Sequence, residues 1–197
     1  MDDQSLVERF QNGGDRAAFE ELIARYENRI FRFGFRMCGQ EQDAEDVVQD
    51  TFVSAYRYLK GFRGDASLLT WLLKIASSAC LKKRRLKKNE PRSHVPFEDL
   101  QTQTAGEVRI DSPLSPTPDS EVLSAEVRAK FHEALAAIPA HYRQVLVLRE
   151  LEGMSTKEVA EILDLTESAV KVRLHRARGM VYQEFERVYH GEGNKLN

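Results

Sequence analysis

The most informative part of the chain is GMSTKEVAEILDLTESAVKVRLHRARG, residues 153–179. Ser155 precedes Glu158 by three residues, which is the spacing of a capping box at the start of a helix. Apolar residues at helical spacing continue this helix, and Thr166 is placed to cap a second helix after a short interruption. Two short helices joined by a tight turn form the helix-turn-helix arrangement of many DNA-binding proteins.

Basic residues dominate the outer face of the second helix, and no acidic residue lies between Ser168 and Val181. Solvated helix faces usually mix the two signs, because opposite charges four residues apart stabilise a helix. One-sided charge beside this motif therefore favours nucleic-acid binding over a merely solvated surface. The basic residues are Lys171, Arg173, His175, Arg176 and Arg178, and the apolar stripe behind them comprises Ala169, Val170, Leu174 and Ala177.

The first half of the chain is also predicted to be helical. Asp15 is placed to cap a long helix whose apolar residues recur at steps of three and four up to Met37. The next helix is crowded in its first two turns by Asp43, Glu45, Asp46, Gln49 and Asp50. Acidic residues near a helix N-terminus are favoured by the helix dipole. Their density also fits a docking surface for a cationic partner, and charge alone leaves both interpretations open.

A third helix, from Ala66 to Lys88, begins apolar and ends strongly basic. Its last turns hold Lys82, Lys83, Arg84, Arg85, Lys87 and Lys88. Cations at a helix C-terminus suit the dipole. Six cations in seven residues exceed that need, and they indicate contact with phosphate groups.

The composition changes after this helix, where five prolines and several Ser and Thr residues occur with few apolar residues. A segment of this length without a core of its own indicates a linker between two domains. We therefore predict an all-α protein with two small helical domains, at 1–88 and 121–190, joined by a flexible acidic linker at 89–120.

Catalytic and metal-binding patterns are absent from the sequence. The five histidines lack ligand spacing, Cys38 and Cys80 form no CxxC motif, and there is no glycine-rich phosphate loop. We expect two free buried thiols, no metal, no cofactor and no enzymatic activity. The sequence has neither a signal peptide nor an apolar run of membrane-spanning length, which predicts a cytoplasmic protein.

Three blocks of this sequence resemble the extracytoplasmic-function group of the sigma-70 family, which keeps only regions 2 and 4. They are DAEDVVQDTFVSAYRYLKGFRG, TWLLKIA and IPAHYRQVLVLRELEGMSTKEVAEILDLTESAVKVRLHRARG. The resemblance implies a bacterial RNA polymerase sigma factor that directs core polymerase to specific promoters and promotes transcription initiation, in a stress or envelope response. It implies core RNA polymerase, promoter DNA and an anti-sigma factor as partners, and no small-molecule substrate.

The same resemblance implies a role for each group of residues. It assigns polymerase binding to Asp43, Glu45, Asp46, Gln49 and Asp50. Recognition and melting of the −10 element fall to Phe62, Arg63, Asp65, Ser67, Lys74, Ser78, Lys82, Lys83, Arg84 and Arg85. Recognition of the −35 element falls to Ser168, Lys171, Val172, Arg173, His175, Arg176 and Arg178. Trp71 lies among leucines and is expected in the core. The chain departs from the family at Ser78, where many members carry Asn, and at Leu69, where the family pattern has Arg.

Two other classes of protein share part of this pattern. An autonomous helix-turn-helix regulator would carry a ligand-sensing first domain, which has no reason to hold a basic helix beside an acidic one. A response regulator would need alternating strands and helices, and an RNA-binding antiterminator is the remaining rival. Tight, sequence-specific duplex binding without polymerase would favour the autonomous regulator.

Overall fold

The computed structural model describes residues 2–88 and 121–191, and within them the side chains of 2–83 and 126–189. Every regular element in these ranges is helical, and they contain no strand, which confirms the prediction of an all-α fold. The helices are α1 (Asp3–Gly13), α2 (Arg16–Cys38), α3 (Glu41–Tyr58), α4 (Leu68–Lys88), α5 (Glu121–Ala137), α6 (Ala140–Leu146), α7 (Thr156–Leu163) and α8 (Glu167–Gly191). A 3-10 turn spans Leu59–Gly61 and a π-helical turn spans Val147–Leu151. No described helix combines the length and apolar character that a membrane span requires.

Helices α1 to α4 form the first helical region, and their ends follow local signals. The Asp15 carboxylate accepts a hydrogen bond from the Ala18 N–H at 3.2 Å and caps α2, as predicted. Gly39 ends the same helix in the left-handed conformation, with φ of 76°. Gly34 lets α2 and α3 approach closely, because a Cβ atom there would lie 3.2 Å from the Cα of Ala44. The buried centre of the region comprises Ile30, Phe33, Met37, Val47 and Leu73.

Helices α5 to α8 form the second helical region and contain the predicted helix-turn-helix. Ser155 and Glu158 make both hydrogen bonds of the capping box at the start of α7. Asp164 ends α7 with φ of 56°, a left-handed conformation that aspartate tolerates better than most residues. Thr166 accepts a hydrogen bond from the Ala169 N–H at 3.2 Å and caps α8. The two helices of the motif are therefore set by their caps, as the sequence indicates.

The two helical regions pack directly against each other. Helix α4 contacts α7, α2 contacts α5 and α6, and the buried apolar residues of both regions form one continuous cluster. The prediction of two helical regions is confirmed, but this contact was not foreseen from the sequence. The predicted linker at 89–120 lies outside the described residues, and the domain boundaries at 88 and 121 stay predictions.

A buried glutamate holds the second region to α2. Glu152 follows the π-helical turn directly, and its N–H donates to the Val147 carbonyl at 2.9 Å. The Glu152 side chain is 4% exposed and pairs with Arg29 at 3.0 Å and with Arg36 at 2.6 Å. The Glu152 carbonyl also accepts from Arg29 at 2.7 Å. A carboxylate this buried needs such partners, because an unpaired buried charge is costly.

A buried arginine makes a second contact between the regions. Arg143 of α6 donates to the Met37 carbonyl of α2 at 2.7 Å, and to the carbonyls of Ala136 and Ile138 in its own region. The neighbouring Gln144 donates to the Ser77 carbonyl of α4 at 3.1 Å. A backbone carbonyl near the C-terminal end of α2 and another in α4 therefore serve as acceptors for the second region.

The two thiols are free, as predicted, and they are hydrogen-bonding neighbours across α2 and α4. Cys80 is fully buried and Cys38 is half-buried, so the prediction of two buried thiols holds fully for Cys80 alone. The hydrogen bond with Cys38, together with burial, raises the pKa of the Cys80 thiol well above its ordinary value. Cys80 therefore stays protonated at neutral pH.

Candidate nucleic-acid and protein interfaces

The loop between α3 and α4 carries four of the residues assigned to the −10 element, and α1 supports it. The Gln11 amide nitrogen of α1 donates to the Leu59 carbonyl at 2.9 Å and to the Phe62 carbonyl at 2.7 Å. The Phe62 ring packs on Trp71 with 5.3 Å between centroids. Trp71 is half-buried against the core, as the sequence predicted. Aromatic packing thus anchors the start of the loop to α4.

A pocket of about 420 Å³ opens between this loop and α1. Of the predicted residues, Phe62, Arg63 and Ser67 line it, whereas Asp65 is exposed and binds Arg63 at 3.0 Å. The opposite wall was missed from the sequence, because only the folded chain shows which face of α1 meets the loop. That wall comprises Asp3, Gln4, Val7, Glu8 and Gln11.

One face of α4 continues from this pocket. Lys74, Ser78 and Lys82 follow one another at steps of four residues and are all exposed, so they lie along a single line on the helix. The Ser78 hydroxyl donates back to the Lys74 carbonyl at 3.1 Å. Ser67 caps the helix, because its hydroxyl accepts from the Thr70 N–H at 3.1 Å. Arg84 and Arg85 belong to α4, but their side chains lie outside the described residues.

Lys83 departs from this face and pairs with two aspartates of α3. Its ammonium contacts Asp46 and lies 3.5 Å from Asp43, which is buried. Partial desolvation lowers the pKa of Lys83, but the hydrogen bond and charge of Asp46 outweigh it and leave that pKa raised. The structure therefore joins residues assigned to two different interfaces, and Asp43 serves to fasten α3 to α4.

The other residues of α3 assigned to polymerase binding form an open surface. Glu45, Gln49 and Asp50 are exposed, and Asp46 is partly exposed. Beside them, between α2 and α3, is an apolar groove lined by Phe19, Ile23, Val48, Phe52, Val53 and Tyr56, with Gln49 and Arg57 at its edge. A second, more polar hollow adjoins Val48 and is lined by Glu27, Asn28, Phe31, Glu45 and Gln49. Sequence reasoning missed this groove, although the exposed Val53 and Tyr56 lie in the same helix. A surface with both an acidic rim and an apolar floor fits a protein partner.

The exposed face of α8 carries the residues expected to reach base edges. Ser168, Lys171, Val172 and His175 are exposed and follow the i, i+3, i+4, i+7 spacing of one helix face. Val170, Leu174 and Ala177 are buried behind them, as predicted. A single exposed face on the second helix of this motif is the geometry that enters a major groove.

The three arginines of α8 are placed differently from that face. Arg173 and Arg176 are half-buried, and desolvation lowers the pKa of Arg173. Arg178 is exposed and pairs with Glu150 of the π-helical turn. These arginines flank the exposed face rather than belong to it. Within the described residues, no three potential ligands come together in a group able to hold a metal ion.

Two family descriptions match the chain in order. "Sigma-70 region 2" matches residues 22–90 and "Sigma-70, region 4" matches residues 128–181. The ECF RNA polymerase sigma-E factor of Haemophilus influenzae is 34% identical over 188 residues, covering 94% of this chain and 96% of that protein. The RNA polymerase sigma-H factor of Pseudomonas aeruginosa is 34% identical over 178 residues, covering 89% and 90%.

Solved structures show the same fold. CnrH, determined in complex with the cytosolic domain of CnrY, matches with a TM-score of 0.65 and 25% identity, covering 92% of this chain and 95% of CnrH. The sigma factor RpoE of Bartonella quintana, determined with the anti-sigma factor NepR, matches with a TM-score of 0.61 and 21% identity, covering 85% and 96%. Because regions 2 and 4 both match, and relatives match along nearly the whole chain, this protein belongs to the extracytoplasmic-function sigma factors of the sigma-70 family.

Proposed function

We propose that this chain directs core RNA polymerase to specific promoters through two DNA-facing surfaces, one on each helical region. The proposal rests on the presence of two such surfaces in one chain. One is the exposed face of α8, and the other comprises the loop, the pocket and the basic helix of the first region. A regulator that bound DNA through its helix-turn-helix alone would need only one of these surfaces. The chain acts in the cytoplasm as a binding subunit, without enzymatic activity or a cofactor of its own.

The acidic surface of α3 is the proposed docking site for polymerase. Glu45, Gln49 and Asp50 supply the exposed rim, and the apolar groove beside them supplies area that is buried on binding. Its partner is the cationic surface of the clamp helices in the largest polymerase subunit. Asp46 contributes to this rim and also holds Lys83, while Asp43 supports the surface from within.

The pocket beside α1 is the proposed site for a non-template base of the −10 element. A base that leaves the DNA stack needs an aromatic and polar pocket to replace its lost stacking and pairing. Phe62, Arg63 and Ser67 line such a pocket, and Asp65 orients Arg63. The line of Lys74, Ser78 and Lys82 then follows the displaced strand. Contacts of Lys83, Arg84 and Arg85 with the backbone phosphates are part of this proposal, and for Lys83 they require its pairs with Asp43 and Asp46 to open.

The exposed face of α8 is the proposed reader of the −35 element. Ser168, Lys171, Val172 and His175 lie where base edges of a major groove would be reached. Arg173, Arg176 and Arg178 flank them and suit phosphate contacts, which set orientation more than sequence.

The closed packing of the two regions must open before both elements can be bound. Positions −35 and −10 are about 25 base pairs apart, or roughly 85 Å at 3.4 Å per base pair. Helices α4 and α7 are in direct contact, so the two DNA-facing surfaces lie far closer together than that. Separation of the regions would break the contacts of Glu152 with Arg29 and Arg36.

An anti-sigma factor is the proposed inhibitory partner. The RpoE structure of Bartonella quintana holds such a protein, and the CnrH structure holds the cytosolic domain of CnrY. We propose that this chain acts in a stress or envelope response and is kept inactive by a partner of that class until the response begins.

In vitro transcription tests the function directly. Core polymerase with the purified chain, supplied with a genomic DNA library, should initiate at defined sites that core polymerase alone does not use. A Lys171→Ala/His175→Ala variant should still bind core polymerase but lose initiation at sites that depend on the −35 element. Tight, sequence-specific duplex binding by the chain without polymerase would instead identify an autonomous regulator.

A further inference from the structure

Helix α1 lies ahead of the region 2 match, which begins at residue 22, yet it forms one wall of the pocket. Gln11 links this helix to the loop by hydrogen bonds. The half-buried amide nitrogen of this side chain donates to two carbonyls, those of Leu59 and Phe62, at 2.9 and 2.7 Å. One side chain therefore satisfies backbone acceptors on both sides of the point where the 3-10 turn passes into the loop.

The positions of these two carbonyls allow Gln11 to hold the start of the loop in place. The Leu59 carbonyl also accepts from the Phe62 N–H at 3.1 Å, so Gln11 joins a turn that is already closed. Beyond Phe62 the chain runs through Arg63, Gly64 and Asp65, which are all exposed, and Gly64 has a φ of 76°. The far end of the loop is fixed by the Ser67 cap of α4. Gln11 thus fixes the near end of an otherwise exposed loop.

We propose that Gln11 is a positioning residue for base capture, which holds the loop so that the pocket against α1 is already formed when a base leaves the stack. The inference rests on the proposed function of the pocket. A preformed site avoids the entropic cost of ordering its loop during binding, so its loss should weaken recognition of the captured base more than contact with the strand as a whole.

The substitution Gln11→Glu tests this role. It keeps the size of the side chain but replaces a donor with a carboxylate that faces two carbonyl oxygens. Asn12→Asp is the matched control, because Asn12 is the next residue of α1, is exposed and undergoes the same change of charge. Gln11→Leu removes the hydrogen bonds without adding charge and serves if Gln11→Glu fails to fold. Binding to core polymerase should be similar for folded variants and wild type. Thermal unfolding identifies the folded variants, and both Gln11 variants should unfold at a lower temperature because they lose two hydrogen bonds.

The assay uses the holoenzyme and single-stranded non-template oligonucleotides that span a −10 element found by the transcription experiment. Each position is made abasic in turn. In wild type, removal of the base at one position should lower the affinity about tenfold. A loss of this size is expected when one stacking contact disappears. Gln11→Glu and Gln11→Leu should lower affinity for the intact strand and reduce the abasic penalty at that position to below about twofold, because the two changes would act on one interaction. Asn12→Asp should behave as wild type.

Two results would contradict the inference in distinguishable ways. If wild type shows the position-specific penalty and both Gln11 variants keep it in full, Gln11 does not position the pocket, and the proposed function stands. If wild type shows no such position, the pocket does not capture a base, and the proposed −10 site fails together with the inference.

Discussion

Asp46 and Asp50 lie one turn apart on α3, but their surroundings differ. Asp46 contacts Lys83 of α4, whereas Asp50 is exposed. Both were assigned to polymerase binding from the resemblance. The structure indicates that only Asp50 can be changed without also disturbing the packing of α3 against α4.

Charge reversal should therefore separate these two residues. Asp50→Lys is expected to weaken binding to core polymerase by about tenfold or more, because it places like charges opposite each other, and to leave the unfolding temperature unchanged. Asp46→Lys should weaken binding and also lower the unfolding temperature, because it faces Lys83 with a second cation. Affinity measured by fluorescence anisotropy and unfolding followed by circular dichroism check both. Equal polymerase affinity for Asp50→Lys and wild type would show that the interface lies elsewhere.

The two thiols should differ strongly in reactivity. Cys80 is buried and keeps its proton because its pKa is raised, whereas Cys38 is half-buried. Since the thiolate is the reactive form, Cys38 is expected to react about tenfold or more faster with an alkylating reagent at pH 8. Mass spectrometry of labelled peptides over time measures both rates. In urea the two rates should converge, and equal rates in the folded protein would contradict the placement of Cys80.

At the scale of single helices, the exposed face of α8 and the arginines beside it should contribute differently to DNA binding. Lys171 is exposed on that face, whereas Arg178 is exposed but already paired with Glu150. Lys171→Ala should weaken initiation that depends on the −35 element by about tenfold and alter preference at one base position. Arg178→Ala should cost less than about threefold, because it removes a solvent-exposed ion pair and a peripheral contact. Competition between promoters with single −35 substitutions measures both effects.

Helix boundaries were predictable where the signal is local. The Asp15 cap of α2 and the capping box of Ser155 and Glu158 involve residues three apart in sequence, and both are present. The exposed spacing from Ser168 to His175 follows from helical periodicity alone. The π-helical turn before Glu152 and the wall that α1 gives the pocket depend on contacts between distant residues. No periodicity or composition specifies such contacts, so the sequence did not suggest them.

The same limit explains why Lys83 was assigned to phosphate binding. In the sequence it is one of six similar cations at the end of α4. Only the packing of α3 on α4 shows that Lys83 forms ion pairs with Asp43 and Asp46. Charge density alone could not say which cation of the run pairs within the protein. Its proposed contact with phosphate, like those of Arg84 and Arg85, stays a prediction.

At the scale of the whole molecule, a substitution of the buried Glu152 tests whether its ion pairs hold the two helical regions together. Glu152→Gln removes the charge that pairs with Arg29 and Arg36, which should destabilise the closed arrangement by about 1–3 kcal/mol. Fluorescence energy transfer between dyes on the two helical regions should show a longer mean distance. If the open form is the one that binds polymerase, apparent affinity should rise by about tenfold, because less free energy is spent on opening.

Glu161→Gln is the control for this measurement, since Glu161 is exposed on α7 and undergoes the same chemical change. It should leave both the distance and the affinity unchanged. An unchanged distance in Glu152→Gln would mean that apolar packing alone keeps the regions together.

The acceptors of Arg143 lie on both sides of the contact between the two regions. The Met37 carbonyl belongs to the first region, while the carbonyls of Ala136 and Ile138 belong to its own. If the regions separate as proposed, this guanidinium loses the Met37 carbonyl and keeps those of Ala136 and Ile138, which still brace the junction of α5 and α6. We therefore expect α5 and α6 to leave α2 together, so that the helix-turn-helix keeps its own supporting helices during the separation.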